Sequence, residues 1–439
     1  MDIYGCFNWI DNFFALPCTI LFFGVSVLLT IKTGFLQFRG FKKFISLITQ
    51  GISRKKKYGE AGEMRTMDSV HALFTAMATT IGTGNVVGPS IAIQVGGPGA
   101  LFWLIFYIFL GSATKFTEVV FAMQTRIKTA DGNIIGGPMQ YLKSVATWMA
   151  VWYGLAMSIL MAGWSGIQGN TLASILALES IPVWVTGAAL ALFVWVILKG
   201  GAQRVGNVAS KLVPIMFVSY VTFALILLCR DMGALARAFV LIYDGVLTPK
   251  AAAGGLLGVT IFQAMRTGIY RGIFITESGL GTSSIPHSMA DAQQPTDQGL
   301  LAMFSSMADA FLSLLSGLIV LVTGIWMEGQ FRCTLVYEAF KMHSPVAGKF
   351  ILIISIALFA ITTAMGNSFN GRQSFAAITK YRWLQQYVIF TVLAIFLGSM
   401  LHAQLVWKVM DVMLVFVAIP NLLGLVYLAY KHPEVLKVR

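Results

Sequence analysis

Eleven apolar runs, most of them about 20 residues long, follow one another along this chain, and that pattern leaves few folds open. They span 12–32, 68–95, 98–123, 148–178, 182–198, 212–229, 251–284, 299–327, 350–378, 387–402 and 405–430. A helix of about 20 residues crosses the hydrocarbon core of a bilayer, whereas barrel strands are short and alternating. The expected fold is therefore all-α and integral to the membrane, with 11 transmembrane helices. The chain is 57% hydrophobic and 11% charged, with mean hydropathy +0.77, against about 25% charged residues in a soluble domain.

The net charge of +13 raises the question of a nucleic-acid partner. Its distribution answers otherwise. Lys32, Arg39, Lys42, Lys43, Arg54, Lys55, Lys56, Lys57 and Arg65 crowd the segment after the first run, which marks it as cytoplasmic. With that segment inside, 20 of the 31 Lys and Arg residues fall on the inside and 7 outside. Membrane topology thus accounts for the basic balance, and no nucleic acid is expected. The N-terminus lies outside, the C-terminus in the cytoplasm, and the membrane is a bacterial inner (plasma) membrane. No Lys or Arg precedes the first run, so that run is a retained span rather than a cleaved signal.

Four cysteines and five histidines show no metal-ligand spacing, and no HExxH, GxSxG or aspartate pair occurs. Neither a cofactor nor an enzyme is expected.

Two runs are interrupted. Residues 75–103 read TAMATTIGTGNVVGPSIAIQVGGPGALFW, with Gly82, Thr83, Gly84, Asn85, Gly88 and Pro89 at the centre. Residues 271–282 read RGIFITESGLGT. A helix broken within the membrane leaves backbone groups that lipid cannot satisfy, so they must face protein, water or a ligand. Spans two to six and seven to eleven form two sets of five, each opening on a broken helix. An odd number of crossings makes the second set enter in the opposite sense. Paired breaks of this kind mark the substrate site of inverted-repeat transporters. The resulting organisation is 1–65, an extra N-terminal helix and basic loop; 66–230, the first repeat; 231–253, an extracytoplasmic loop; 254–430, the second repeat; and 431–439, a cytoplasmic tail. Glycines that only let helices pack closely are the competing explanation, and the weaker one for two matched clusters.

At the first break, free N–H groups over Gly82, Thr83, Gly84 and Asn85 suit a carboxylate. The carbonyls of Ala78, Thr79, Thr80 and Ile81 suit a small cation. Gln168 and Asn170 are amides deep in span four, and Thr362 and Thr363 are hydroxyls in span nine that could serve Na⁺ or simply bond to their own helix. Asn367 lies one turn from Thr363 on the same face. Lys115 and Glu118 are expected to pair with each other or with neighbours, and Arg271 with Glu277.

The ordered motifs TAMATTIGTGNVVGPSIAIQVGGPGALFW, TKFTEVV (114–120), DGNIIGGPMQYL (131–142), GIQGN (166–170), GGAQRVGNVASKLVPIM (200–216) and RGIFITESGLGTSSIPHSMA (271–290) resemble the alanine or glycine:cation symporter family, also called sodium:alanine symporters. The resemblance implies a LeuT-type fold, with five plus five helices in inverted repeat after one extra helix. It implies symport of a small neutral amino acid such as alanine or glycine, driven by Na⁺ or sometimes H⁺; separately, the protein is expected to function as a monomer. Carried over residue by residue, Gly82, Thr83, Gly84 and Asn85 would bind the carboxylate and Gln168 would face the substrate. Residues 272–276, with Gly272, Phe274 and Thr276, would form the second break. Thr79, Thr80, Thr362 and Thr363 would hold Na⁺. The chain departs from the family where a Trp becomes Asn367 and an acid becomes Arg372. The first change opens volume, adds a polar group, and implies a larger or more polar neutral amino acid as the alternative substrate. A passive amino-acid channel is the competing function.

Overall fold

The computed structural model describes residues 3–55, 68–128, 134–247, 261–292, 294–328, 334–343, 346–401 and 403–438. The turn expected at Asp131-Gly132-Asn133, and Lys56, Lys57 and Arg65 of the basic loop, lie outside them. The chain is mostly helical, and the all-α expectation is qualified by one two-stranded antiparallel ladder, in which Ile127 faces Ile135. Helix α1 (Ile3–Lys32) is followed by α2 (Leu36–Arg39) and α3 (Phe41–Lys55). The first interrupted run forms α4 (Ser69–Thr80) and α5 (Thr83–Gly96). Then come α6 (Gly99–Thr125), α7 (Pro138–Val145), α8 (Thr147–Ala177), α9 (Val183–Leu198), α10 (Gly201–Cys229) and α11 (Met232–Leu247). The second interrupted run forms α12 (Ile261–Thr276) and the short α13 (Ser284–Ser288). The chain ends with α14 (Pro295–Thr323), α15 (Leu335–His343), α16 (Ala347–Thr379), α17 (Leu384–Met400) and α18 (Ala403–Lys431).

Among the described residues, 6 helices are long and apolar enough to cross a membrane: α6, α8, α10, α14, and most of α16 and α18. Three shorter apolar helices accompany them, at 16–32, 183–198 and 384–400. Two segments expected as loops carry helices. The loop at 231–253 contains α11, and the polar connection at 328–349 contains α15.

Burial sorts the helices. α6 packs on α12 and α14, and α8 on α16 and α17. Both bury most of their length against other helices, although α8 also turns Trp148, Val151, Trp152, Leu155 and Ile159 outward near its start. α9 and α10 instead turn Trp184, Leu192, Phe193, Ile215, Val218 and Ile226 outward, as lipid-facing helices do. α3 is amphipathic. It docks by stacking Phe44 on Phe304 at 4.6 Å and by pairing Lys43 with Asp297 at 2.7 Å.

The two breaks differ in construction. Between α4 and α5 the chain is extended for two residues, Ile81 (φ −80°, ψ 95°) and Gly82 (φ −145°, ψ −165°). Between α12 and α13, Glu277, Gly279 and Gly281 take φ values of +56°, +97° and +80°. Three left-handed residues in five cannot continue a helix. The second break therefore lies at 277–283, not at 272–276 as expected. Gly272 and Phe274 stand in the last turns of α12.

Candidate substrate and cation site

The first break is built from its own capping. The Gly82 N–H donates to Asn85 Oδ1 at 3.0 Å, and the Asn85 N–H to the Gly82 carbonyl at 3.1 Å. Asn85 thus closes the first turn of α5, satisfying donors that a helix start leaves open. Its Nδ2 is engaged elsewhere, donating to Asp309 Oδ1 at 3.3 Å and to the Asp309 carbonyl at 3.4 Å. The N–H groups of Thr83 and Gly84 then remain at the positive end of α5, where an anion is favoured. The Thr83 hydroxyl donates to Gln168 Oε1 at 2.7 Å, which brings the glutamine of α8 to the break. Phe274 lies over Gly84, 3.2 Å from where a Cβ would stand, between Trp164 and Trp407 with ring centroids at 5.0 and 4.7 Å.

On the other side of the break, the last intrahelical bond of α4 runs from the Ile81 N–H to the Met77 carbonyl. The carbonyls of Ala78, Thr79, Thr80 and Ile81 follow it. Thr363 Oγ1 reaches the Ile81 carbonyl at 3.1 Å, while Thr362 Oγ1 turns to the Leu358 carbonyl (2.8 Å) and Met216 Sδ (3.2 Å). The two neighbouring threonines therefore part, because adjacent helical residues point about 100° apart. Hard carbonyl and hydroxyl oxygens at the Thr363 position fit a small cation such as Na⁺. Thr79 Oγ1 bonds its own helix at the Ala76 carbonyl (2.7 Å), and the Thr80 hydroxyl lies beside Asp309.

The second break adds Thr276, whose hydroxyl caps the end of α12 on the Gly272 carbonyl at 2.9 Å. Gly272 faces α6 rather than the break: a Cβ there would lie 2.9 Å from the Tyr107 ring and 3.0 Å from the Leu104 carbonyl. Along α16, Thr363, Asn367 and Asn370 form one stripe at helical spacing. Thr363 touches the first break, and Asn370 Nδ2 the second, at the Thr282 carbonyl (3.2 Å). Asn367 lies between them, 1% exposed, and neither Nδ2 nor Oδ1 finds a protein partner.

Of the other polar groups, Lys115 and Glu118 pair with neighbours as expected, and the Arg271–Glu277 pair is replaced. Asn170 caps the end of α17 on the carbonyls of Gly398 (2.9 Å) and Leu401 (2.7 Å). Arg271 lies over the Trp407 ring at 5.4 Å instead of pairing with Glu277. Lys115 pairs with Asp309 at 3.7 Å, both fully buried, and Glu118 accepts the Gly279 N–H at 2.9 Å. Asp309 was missed by the sequence reading. The available signal was a lone acid in span eight, where intramembrane charges are rare and functional.

A mostly helical chain with two broken helices joined by one stripe of α16, one end offering N–H groups and the other carbonyls, has the construction of a secondary transporter. Similarity to known proteins agrees. A sequence model of the Sodium:alanine symporter family matches residues 2–438. An uncharacterized transporter of Haemophilus influenzae is 33% identical over 437 residues, covering 97% of this chain and 94% of that protein. The sodium/alanine symporter AgcS of Methanococcus maripaludis is 29% identical, covering 98% and 95%. Among solved structures, MhsT in complex with L-phenylalanine superposes with a TM-score of 0.63 at 13% identity, covering 84% of this chain and 90% of that one. That likeness shows the expected LeuT-type fold. The chain belongs to the sodium:alanine symporter family. It is a multi-pass membrane symporter and not an enzyme.

Proposed function

We propose that this protein carries a small neutral amino acid, alanine or glycine in the first instance, together with Na⁺, by alternating access across a bacterial inner membrane. The observation that carries this reading is the convergence on one helix break of Thr363 on Ile81 and of Gln168 on Thr83. The substrate carboxylate takes the N–H groups of Thr83 and Gly84. The cation takes the Thr363 hydroxyl and the carbonyls that end α4. The three shorter apolar helices and the two interrupted ones, added to the six long ones, give eleven spans, with the N-terminus outside and the chain acting as a monomer. A gradient can be used in this way only if both solutes occupy the site together before the bundles rock against each other.

Uptake into proteoliposomes of a labelled amino-acid panel, with Na⁺ and H⁺ gradients imposed separately, tests the reading. Uptake against the amino-acid gradient under a Na⁺ gradient alone is expected. Flux that only follows the amino-acid gradient would establish the passive channel instead, and drive by H⁺ alone would replace Na⁺ as the coupling ion. In the same assay, Thr363→Val is expected to raise the KM for Na⁺ about tenfold, the cost of roughly 1.4 kcal/mol. Thr362→Val should change it far less, because that hydroxyl faces its own helix. Equal effects of the two would remove the cation from Thr363.

The unpartnered amide of Asn367 favours a second reading, a larger polar neutral substrate. Asn367→Trp is then expected to narrow the substrate range toward alanine and glycine. An unchanged range would show that this position does not set selectivity.

A further inference from the structure

Two charged side chains on one turn of α6 connect to the two helix breaks, one through Asp309 and one directly. The first is Lys115, whose ammonium lies 3.7 Å from Asp309 Oδ2, both side chains with no exposure. Asp309 in turn holds Asn85 by its Oδ1 (3.3 Å) and its carbonyl (3.4 Å), and the other end of Asn85 accepts the Gly82 N–H at 3.0 Å. A continuous chain of contacts thus runs from Lys115 to the residue that starts α5. The second is Glu118, three residues along and on the same face of α6. Its Oε1 accepts the Gly279 N–H at 2.9 Å and Asn421 Nδ2 at 2.9 Å, while the same Asn421 amide donates to the Gly279 carbonyl at 2.8 Å. Glu118 therefore fixes the left-handed residue at the centre of the second break.

The two anchors are electrically linked. Lys115 pairs with Asp309 of α14, which holds the first break, and lies within electrostatic reach of Glu118 and Glu277 at the second. A buried charge is costly unless paired, which ties the position of Lys115 to all three. At 3.7 Å its contact with Asp309 is an ion pair longer than an ordinary hydrogen bond.

We propose that Lys115, Glu118 and Asp309 form a charge bridge that couples the backbone of the first break to that of the second. They act as positioning residues for the site, through Asn85 on one side and Gly279 on the other. The proposal rests on the symport reading only in taking the two breaks as the places where solute binds. Its consequence is that occupancy at Thr83 and Gly84 is felt at 277–283 without a contact between the solute and that segment.

Hydrogen–deuterium exchange on the purified full chain in nanodiscs tests this without any need for transport. Asp309→Asn is expected to raise amide exchange at 277–283 as well as at 81–85, and Glu118→Ala to raise it at 81–85 as well as at 277–283. The double variant Lys115→Gln with Asp309→Asn replaces the ion pair with two amides that can hydrogen-bond, and should return the far break most of the way to wild type. Exchange changes confined to the nearer break in both single variants would overturn the bridge. So would a double variant no closer to wild type than Asp309→Asn alone. If the charge-removing variants fail to insert, Asp309→Glu and Lys115→Arg keep both charges and give the same comparison with smaller shifts. Raised exchange at both breaks is again expected, and a local change again overturns the proposal. Wild-type uptake is measured in parallel. Absent uptake would sink the symport reading, and the exchange pattern would still decide the bridge. Where uptake is present, Asp309→Asn should raise the KM for the amino acid about tenfold and lower the thermal midpoint, since Lys115 is left buried without its partner, and the double variant should recover much of both.

Discussion

Gly82→Ala is expected to abolish uptake while the protein is still made and inserted. The extended φ and ψ of Gly82 are open to any residue, so backbone strain is not the reason. Space is. A Cβ on Gly82 would overlap Thr363 Oγ1 and stand 3.0 Å from Thr363 Cβ and 3.1 Å from its Cγ2. Thr363 is held on α16, so relief requires either that helix or the break to withdraw. Both movements part Thr363 Oγ1 from the Ile81 carbonyl, the contact on which the proposed cation site rests. Displacement of a functional group by about 1 Å costs on the order of a hundredfold in rate. Uptake measured at matched protein levels, together with Na⁺ activation, checks this. Uptake near the wild-type rate would show that α16 does not close on the break during transport.

Gly166→Leu is expected to prevent the protein from folding. α8 and α17 cross there with their backbones in contact. A Cβ on Gly166 would lie 2.8 Å from the Ala394 carbonyl, and one on Gly398 would lie 2.7 Å from the Gly166 Cα. A carbonyl in a helix cannot rotate away as a side chain can. Small residues at such crossings are what allow membrane helices to touch, since lipid supplies no hydrophobic drive between them. A leucine would part the helices and break the bonds of Asn170 to the ends of α17. The expected cost is about 3 kcal/mol or more, read as loss of monodisperse protein after extraction. Gly163→Ala is the control. The three atoms nearest its Cβ all belong to the Met410 side chain, a flexible thioether that can move, and a normal yield is expected. Normal yield from Gly166→Leu would mean that the α8–α17 seam is not needed for stability.

Much of the site was legible in sequence. Gly82, Thr83 and Asn85 interrupt an apolar run, and an interruption within a membrane has to be used. Gln168 is an amide in a span with few other polar side chains, and it meets Thr83. Thr363 follows from the need for hydroxyl oxygen near carbonyls. Where the expectation missed, the reason is local geometry. A glycine does not say whether it frees the backbone or admits a neighbour. Gly272 admits Tyr107, and so it was mistaken for part of the second break, which lies instead over Glu277, Gly279 and Gly281. Thr362 and Thr363 are neighbours in sequence, but the roughly 100° between adjacent helical residues sends them to different partners.

The sequence by itself determined that the chain lies in a membrane, that it is helical, that two of its helices are broken, and which chemical groups the breaks expose. These follow from composition and periodicity, which act over tens of residues at most. Only the tertiary structure decided which polar groups meet. Asn85 and Asp309 are 224 positions apart, Thr363 and Ile81 are 282 apart, and Glu118 and Gly279 are 161 apart. Nothing in the local pattern of either partner names the other. The reason is physical: within lipid a polar group takes whichever partner helix packing brings to it, and packing is settled by small residues and shape along the whole length of each helix.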